Sequence, residues 1–360
     1  MDKVNVLVLT RAHLPQEYLD HIVAADPRIS VTDGTEQFLA ELREAGKEGL
    51  LEDTFETRSN IAHGSHSHET QDDLDALLAR ADVIFGVMLR GLPFPENLLS
   101  RSPNLNWIHI GAAGVERYLA SGIFDGNAVI TNSRGVMAIP IAEHALAFIF
   151  MLAKNAPRLL ENKRNRLWDP FATMELRNRT VGIIGLGAIG SEVGRLAKGI
   201  GMKVIATRRS AKVRESGVFG VDELYPPGDL LTILSESDYI VITVPLTEET
   251  RGMIGEAELR MMKPAAFLIN IARGPIVDQP AIIKALKEGW IAGAGLDVFE
   301  TDPLPPDSEL WELPNAILSY HMAALADTHS KRSVGIFCEN LRNYLAGEAL
   351  INIVDKHQKY

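Results

Sequence analysis

The chain has 360 residues, 46% hydrophobic and 23% charged, with a formal net charge of −11. That length supports two domains with their own cores, and the acidic balance offers no broad cationic surface for nucleic acid. The single cysteine, Cys338, excludes an intrachain disulfide or a cysteine-based metal cage and fits a small buried hydrophobe.

No stretch reads as an export signal or a bilayer span. Residues 4–10 are too short an apolar run, and residues 139–153 are interrupted by Glu143 and His144. A cytoplasmic protein with no membrane partner is expected. In chain order, apolar strands at 4–10, 81–87, 107–110 and 128–130 alternate with helical patterns at 36–44 and 71–79, which indicates an α/β layer with a parallel sheet. Residues 60–70 carry His63, His66, His68 and Glu69 beside Gly64 and Ser65. Their spacing fits no rigid ligand template, so a polar surface loop without metal is expected. A long apolar helix is expected over 140–160.

Residues 180–190 hold the strongest motif. An apolar run, Val181 to Ile184, leads into Gly185, Gly187 and Gly190, and helical periodicity follows over 191–200. Gly185 permits a tight turn, Gly187 lets a diphosphate approach the backbone, and Gly190 lets the helix pack against the sheet. The amides of the first helical turn, from Ala188 and Ile189, then face an anionic ligand. A second strand at 203–207 completes a βαβ unit, so a dinucleotide site is expected here. At the end of that strand an NAD site usually places an acid for the ribose hydroxyls. This chain instead reads Thr207, Arg208, Arg209, Ser210. Guanidinium forks suit a phosphate, so NADP is the expected cofactor, with NADPH preferred over NADH.

Later strands are expected at 238–244, 266–271, 292–298 and 316–320, and a last helix at 330–345. Arg273, Asp302 and His321 each follow one of these strands, and in open α/β sheets ligands bind at the carboxyl ends of strands. Arginine suits a substrate carboxylate, and a histidine–carboxylate pair suits acid–base work near neutral pH.

With the glycine turn, residues 244–247 with Thr250, residues 270–278 and residues 297–321, the chain resembles the D-isomer-specific 2-hydroxyacid dehydrogenases over about 81–345. The resemblance implies two doubly wound parallel-sheet α/β domains with a cleft between them. A substrate domain would be built from both chain ends (1–131 and 322–360), around a central Rossmann nucleotide-binding domain (132–321). It implies that Arg273 binds the substrate carboxylate, that His321 donates the proton during reduction, and that Asp302 fills the slot of the supporting acid. Val244, Pro245, Thr250, Ala272 and Asp297 fall among the cofactor contacts, Asp297 at the nicotinamide carboxamide. The backbone of Ala113 and Gly114, with Arg90, falls at the substrate.

Three departures stand out. Asp302 is one methylene shorter than the family's usual Glu, which leaves Glu300 as an alternative partner for His321. Tyr320 replaces the proline that usually precedes the histidine. Arg208 and Arg209 replace the usual acid. The family's dimer contact involves the long helix and the segment that holds Trp168, so a homodimer is expected. The expected activity is hydride transfer between NADPH and a small 2-oxo or D-2-hydroxy acid such as glyoxylate or hydroxypyruvate. NAD-dependent oxidation of D-2-hydroxy acids and a dinucleotide-sensing corepressor-like protein remain alternatives.

Overall fold

Strands β1 (Val4–Val8), β2 (Ile29–Asp33), β3 (Val83–Gly86), β4 (Trp107–Ile110) and β5 (Val129–Asn132) form an all-parallel sheet in the order β2-β1-β3-β4-β5. Every residue of β3 and β4 is buried, as expected of parallel strands covered on both faces. One face packs the helices Gln16–Val23 and His329–Ala346 through Leu19, Ile22, Phe337 and Leu341. The other packs Thr35–Glu44 and Leu74–Arg80 through Phe38, Leu77 and Leu78. Strand β2 is not among the strands expected from sequence. Its five residues alternate buried with exposed or half-buried positions, so it lacks the continuous apolar run of its neighbours.

The second sheet holds β6 (Thr180–Ile184), β7 (Lys203–Thr207), β8 (Glu215–Ser216), β9 (Glu223–Tyr225), β10 (Tyr239–Ile242), β11 (Phe267–Asn270), β12 (Gly293–Leu296) and β13 (Ala316–Leu318). Their order is β13-β12-β11-β10-β6-β7-β9-β8, parallel except for the β8–β9 pair. The chain leaves β6 toward β7 on one side and returns to β10 on the other, so the topological switch lies between β6 and β10. Small residues in β12 have a packing reason: a Cβ on Gly295 would lie 2.7 Å from the ring of Phe148.

This computed structural model describes residues 3–10, 13–47, 73–86, 93–112, 114–115, 118 and 121–356. The chain divides into two compact units, Met1–Val136 with Asp327–Tyr360, and Met137–Ala326. The sequence placed these crossings at 131/132 and 321/322. The helix expected over 140–160 is two helices, Ala138–Ala153 and Ala156–Arg164, bent by 63°. Asn155 causes the break: it takes a left-handed backbone (φ 50°), and its side chain caps the amide of Arg158. Pro157 follows in the first turn, where its missing N–H costs nothing. Among the described residues no single helix is long and apolar enough to cross a membrane.

Candidate active site

The turn after β6 accounts for each of its glycines. Gly185 has φ +104°, and a Cβ there would lie 2.6 Å from Val244 on the neighbouring β10 loop. A Cβ on Gly190 would collide with the Gly185 carbonyl. Gly187 differs: it is exposed, and no atom lies within 4 Å of where its Cβ would stand. Ala188, also exposed, opens the helix Ala188–Gly199. The space is thus kept clear at the end of a helix whose first amides have no intrahelical partner, as a diphosphate requires. Ile189, half-buried, packs against the core on the same turn. These residues fit a dinucleotide.

Side-chain bonds tie the turn to its neighbours. The Gly185 amide donates to Thr207 Oγ1 at 3.1 Å, and Thr243 Oγ1 donates to the Gly185 carbonyl at 2.6 Å. Beyond Thr243, the loop that carries Val244 and Pro245 is closed by Thr250, whose hydroxyl donates to the Pro245 carbonyl at 2.7 Å. Past Thr207, Arg208 is half-buried and Arg209 exposed.

Arg273 stands three residues past the end of β11, half-buried, with Nη1 donating to the Ala272 carbonyl at 2.8 Å. Asn270, the last residue of β11, shapes this corner. Its side chain accepts from the Ala272 amide and donates to the Arg273 carbonyl. Gly274 is required next, because a Cβ there would collide with the Phe299 carbonyl. The segment that carries Asp302 thus lies directly on the segment that carries Arg273.

Asp302 and His321 are joined. His321 Nδ1 lies 2.7 Å from Asp302 Oδ2, and the other Asp302 oxygen accepts the Phe299 amide at 3.2 Å. Glu300 bonds through its backbone amide, to Gln279 Oε1. The shorter acid reaches the histidine because the backbone carries it there. His321 takes a left-handed backbone, φ 57°, uncommon for a non-glycine residue.

Asp297 holds that backbone in place. Its carbonyl accepts the His321 amide at 2.7 Å. Its carboxylate accepts Ser319 Oγ at 2.5 Å and the amides of Met322 and Ala323 at 2.9 and 3.0 Å. The expected nicotinamide contact therefore falls on a carboxylate that is 2% exposed and already holds three donors. His144 completes the group, with Nε2 2.9 Å from Ser319 Oγ. The one Ser319 hydroxyl proton goes to Asp297, so His144 must donate from Nε2. Burial lowers the pKa of this imidazole, against the opposing pull of the Asp297 charge. Sequence reading missed His144 and Ser319; the Glu143–His144 interruption of an apolar helix was the available signal.

Gly114 is described and half-buried after β4. Arg90, Ala113 and the loop of His63, His66 and His68 lie outside the described residues. Tyr320 is 62% exposed and packs its ring near Trp311.

Residues 146–323 match the family described as D-isomer specific 2-hydroxyacid dehydrogenase, NAD binding domain. The chain is 38% identical over 273 residues to a glyoxylate reductase from Korarchaeum cryptofilum, covering 73% of this chain and 80% of that one. The chain belongs to the D-isomer specific 2-hydroxyacid dehydrogenases. It is thereby an NAD(P)-dependent oxidoreductase. A Thermococcus litoralis glyoxylate reductase is likewise 38% identical, over 275 residues, covering 72% of this chain and 80% of the relative. A D-isomer specific 2-hydroxyacid dehydrogenase from Xanthobacter autotrophicus Py2, solved in complex with NADPH and MES, superimposes with a TM-score of 0.74 at 25% identity. That match covers 99% of this chain and 100% of that one.

Proposed function

We propose that this dehydrogenase reduces a small 2-oxo acid, such as glyoxylate or hydroxypyruvate, to the D-2-hydroxy acid with NADPH. The observation that carries the reading is the His321–Asp302 pair at 2.7 Å, on strand-end segments beside the one that carries Arg273. The nicotinamide, when bound, supplies the hydride that reaches C2. Arg273 pairs with the substrate carboxylate as a planar fork and polarises the C2 carbonyl. With Nδ1 turned to Asp302, His321 delivers the proton to the C2 oxygen from Nε2, and the carboxylate stabilises the imidazolium and fixes the ring. The compact unit from both chain ends serves as the substrate domain and Met137–Ala326 as the nucleotide domain, with Ala113, Gly114 and Arg90 contributing on the substrate side.

The NADPH preference rests on Arg208 and Arg209, with no acid at the end of β7. The NADPH of the Xanthobacter structure supports the same cofactor, and the glyoxylate reductases named above support the substrate class. The protein is proposed to act in the cytoplasm, in keeping with one buried cysteine whose thiol burial pushes up to about 11. It is also proposed to work as a homodimer. Leu159, Leu160, Leu167 and Trp168, the last 95% exposed, offer an apolar face for a second copy. The test is a panel of glyoxylate, hydroxypyruvate, pyruvate and phenylpyruvate, each assayed with NADPH and NADH. Turnover with none, while NADPH still binds, would favour a sensor over a reductase; NADH used as well as NADPH would overturn the cofactor assignment.

A further inference from the structure

Phe219 stands at odds with ordinary surface chemistry. It is 60% exposed, and its backbone is left-handed with φ 48°. That conformation is uncommon for any non-glycine residue and an outlier for a bulky one. Strain of this kind persists only where the surroundings impose it. Here they do: Val218 and Val221 on either side pack into the core around β6 and β7. The Val221 amide donates to the Val218 carbonyl at 3.0 Å, and the Gly217 amide to the Asp222 carbonyl at 2.9 Å, closing a turn with Phe219 at its tip.

The ring has a charged neighbour. The Arg208 guanidinium lies over it, 4.3 Å from the centroid. Among the described residues Arg208 has no carboxylate partner, in a chain whose net charge is −11. The acid on the adjacent strand β9, Glu223, is taken by Arg214 and Lys203, which hold its carboxyl down at about 2. An arginine stacked on an aromatic face keeps its edge of N–H donors open for an anion while the stack restricts its rotamers.

We propose that Phe219 is a positioning residue for cofactor choice: its ring holds the Arg208 fork at the end of β7, ready for the adenosine 2′-phosphate. This rests on the NADPH reading above. The strain at residue 219 serves to place the ring beneath the guanidinium.

The test measures dissociation constants of NADPH, NADH, 2′,5′-ADP and 5′-AMP for wild type, Phe219→Ala, Phe219→Trp, Arg208→Ala and the double variant Phe219→Ala/Arg208→Ala. Phe219→Ala should weaken NADPH and 2′,5′-ADP by about two- to fivefold and leave NADH and 5′-AMP unchanged. Phe219→Trp should retain wild-type binding. In the Arg208→Ala background, loss of the ring should have no further effect. Equal weakening of phosphorylated and unphosphorylated ligands would reduce Phe219 to a structural residue and overturn the proposal, as would an undiminished effect without Arg208. A wild type that binds 2′,5′-ADP no better than 5′-AMP would overturn the NADPH reading itself, and this proposal with it. Preference lost in Arg208→Ala but kept in Phe219→Ala would overturn the proposal alone.

Discussion

Arg273 follows β11 in extended backbone, φ −142° and ψ 141°, with Asn270 bonded on either side of it. A lysine there keeps the charge and loses the fork, so Arg273→Lys is not a mild change. Substrate KM should rise and kcat fall by at least about tenfold each, the cost of one charge-assisted hydrogen bond, while NADPH titrated by tryptophan fluorescence binds as in wild type. Near-normal turnover would remove Arg273 from the site. Asp302 and Glu300 can be separated in the same way. Asp302→Asn takes the anion from beside His321 and should cut kcat by about 10²-fold or more. Glu300→Gln, whose side chain has no part in that pair, should stay within about twofold of wild type. The reverse result would move the supporting role to Glu300.

The glycine turn supports a contrast between two neighbouring substitutions. Gly187→Ala places a methyl where no protein atom lies within 4 Å. The protein should fold with unchanged thermal stability and lose dinucleotide binding, because the methyl fills the approach of the diphosphate. Gly190→Ala drives a methyl into the Gly185 carbonyl and should lower the melting temperature as well, at a cost of about 1–3 kcal/mol of overpacking. Calorimetry with and without NADPH reads both effects; retained NADPH binding in Gly187→Ala would refute the assigned geometry. Elements of this kind were legible in the sequence because each constraint is local. A glycine turn, a buried strand such as β4 and a strand-end arginine each declare themselves within a few residues. The break at Asn155 was not legible, since a capping asparagine inside a 3.6-residue pattern disturbs the periodicity too little to show. Nor was the support of His321. His144 and Ser319 lie 175 positions apart in the chain, and only the packing of the helix Ala138–Ala153 on the sheet brings them together.

Across the whole molecule, acid should act first on the unit built from both chain ends, where His109 and His329 are buried. His109 on β4 sits between Thr131 Oγ1 at 2.8 Å and Ser133 Oγ at 3.1 Å, and Ser133 in turn meets Ser333 on the last helix. Burial lowers the His109 imidazole to about 3, and burial with the charge of Arg332 lowers His329 to about 4. Both folded-state values lie below the ordinary 6.5 of an exposed histidine. As pH falls through about 6.5 the unfolded chain takes up protons that the folded chain refuses. Stability is therefore full above that value and is lost as pH falls toward the folded values, by up to about 1.4 kcal/mol per pH unit for each group. Thermal unfolding followed from pH 7.5 to pH 4.5 should show a falling midpoint. Amide exchange should accelerate first in peptides from β4, β5 and the helix His329–Ala346. His109→Gln can still hydrogen-bond the two hydroxyls but cannot titrate, and it should flatten the pH dependence even if it lowers stability at neutral pH. An unchanged slope in that variant would show that the acid sensitivity arises elsewhere than at His109.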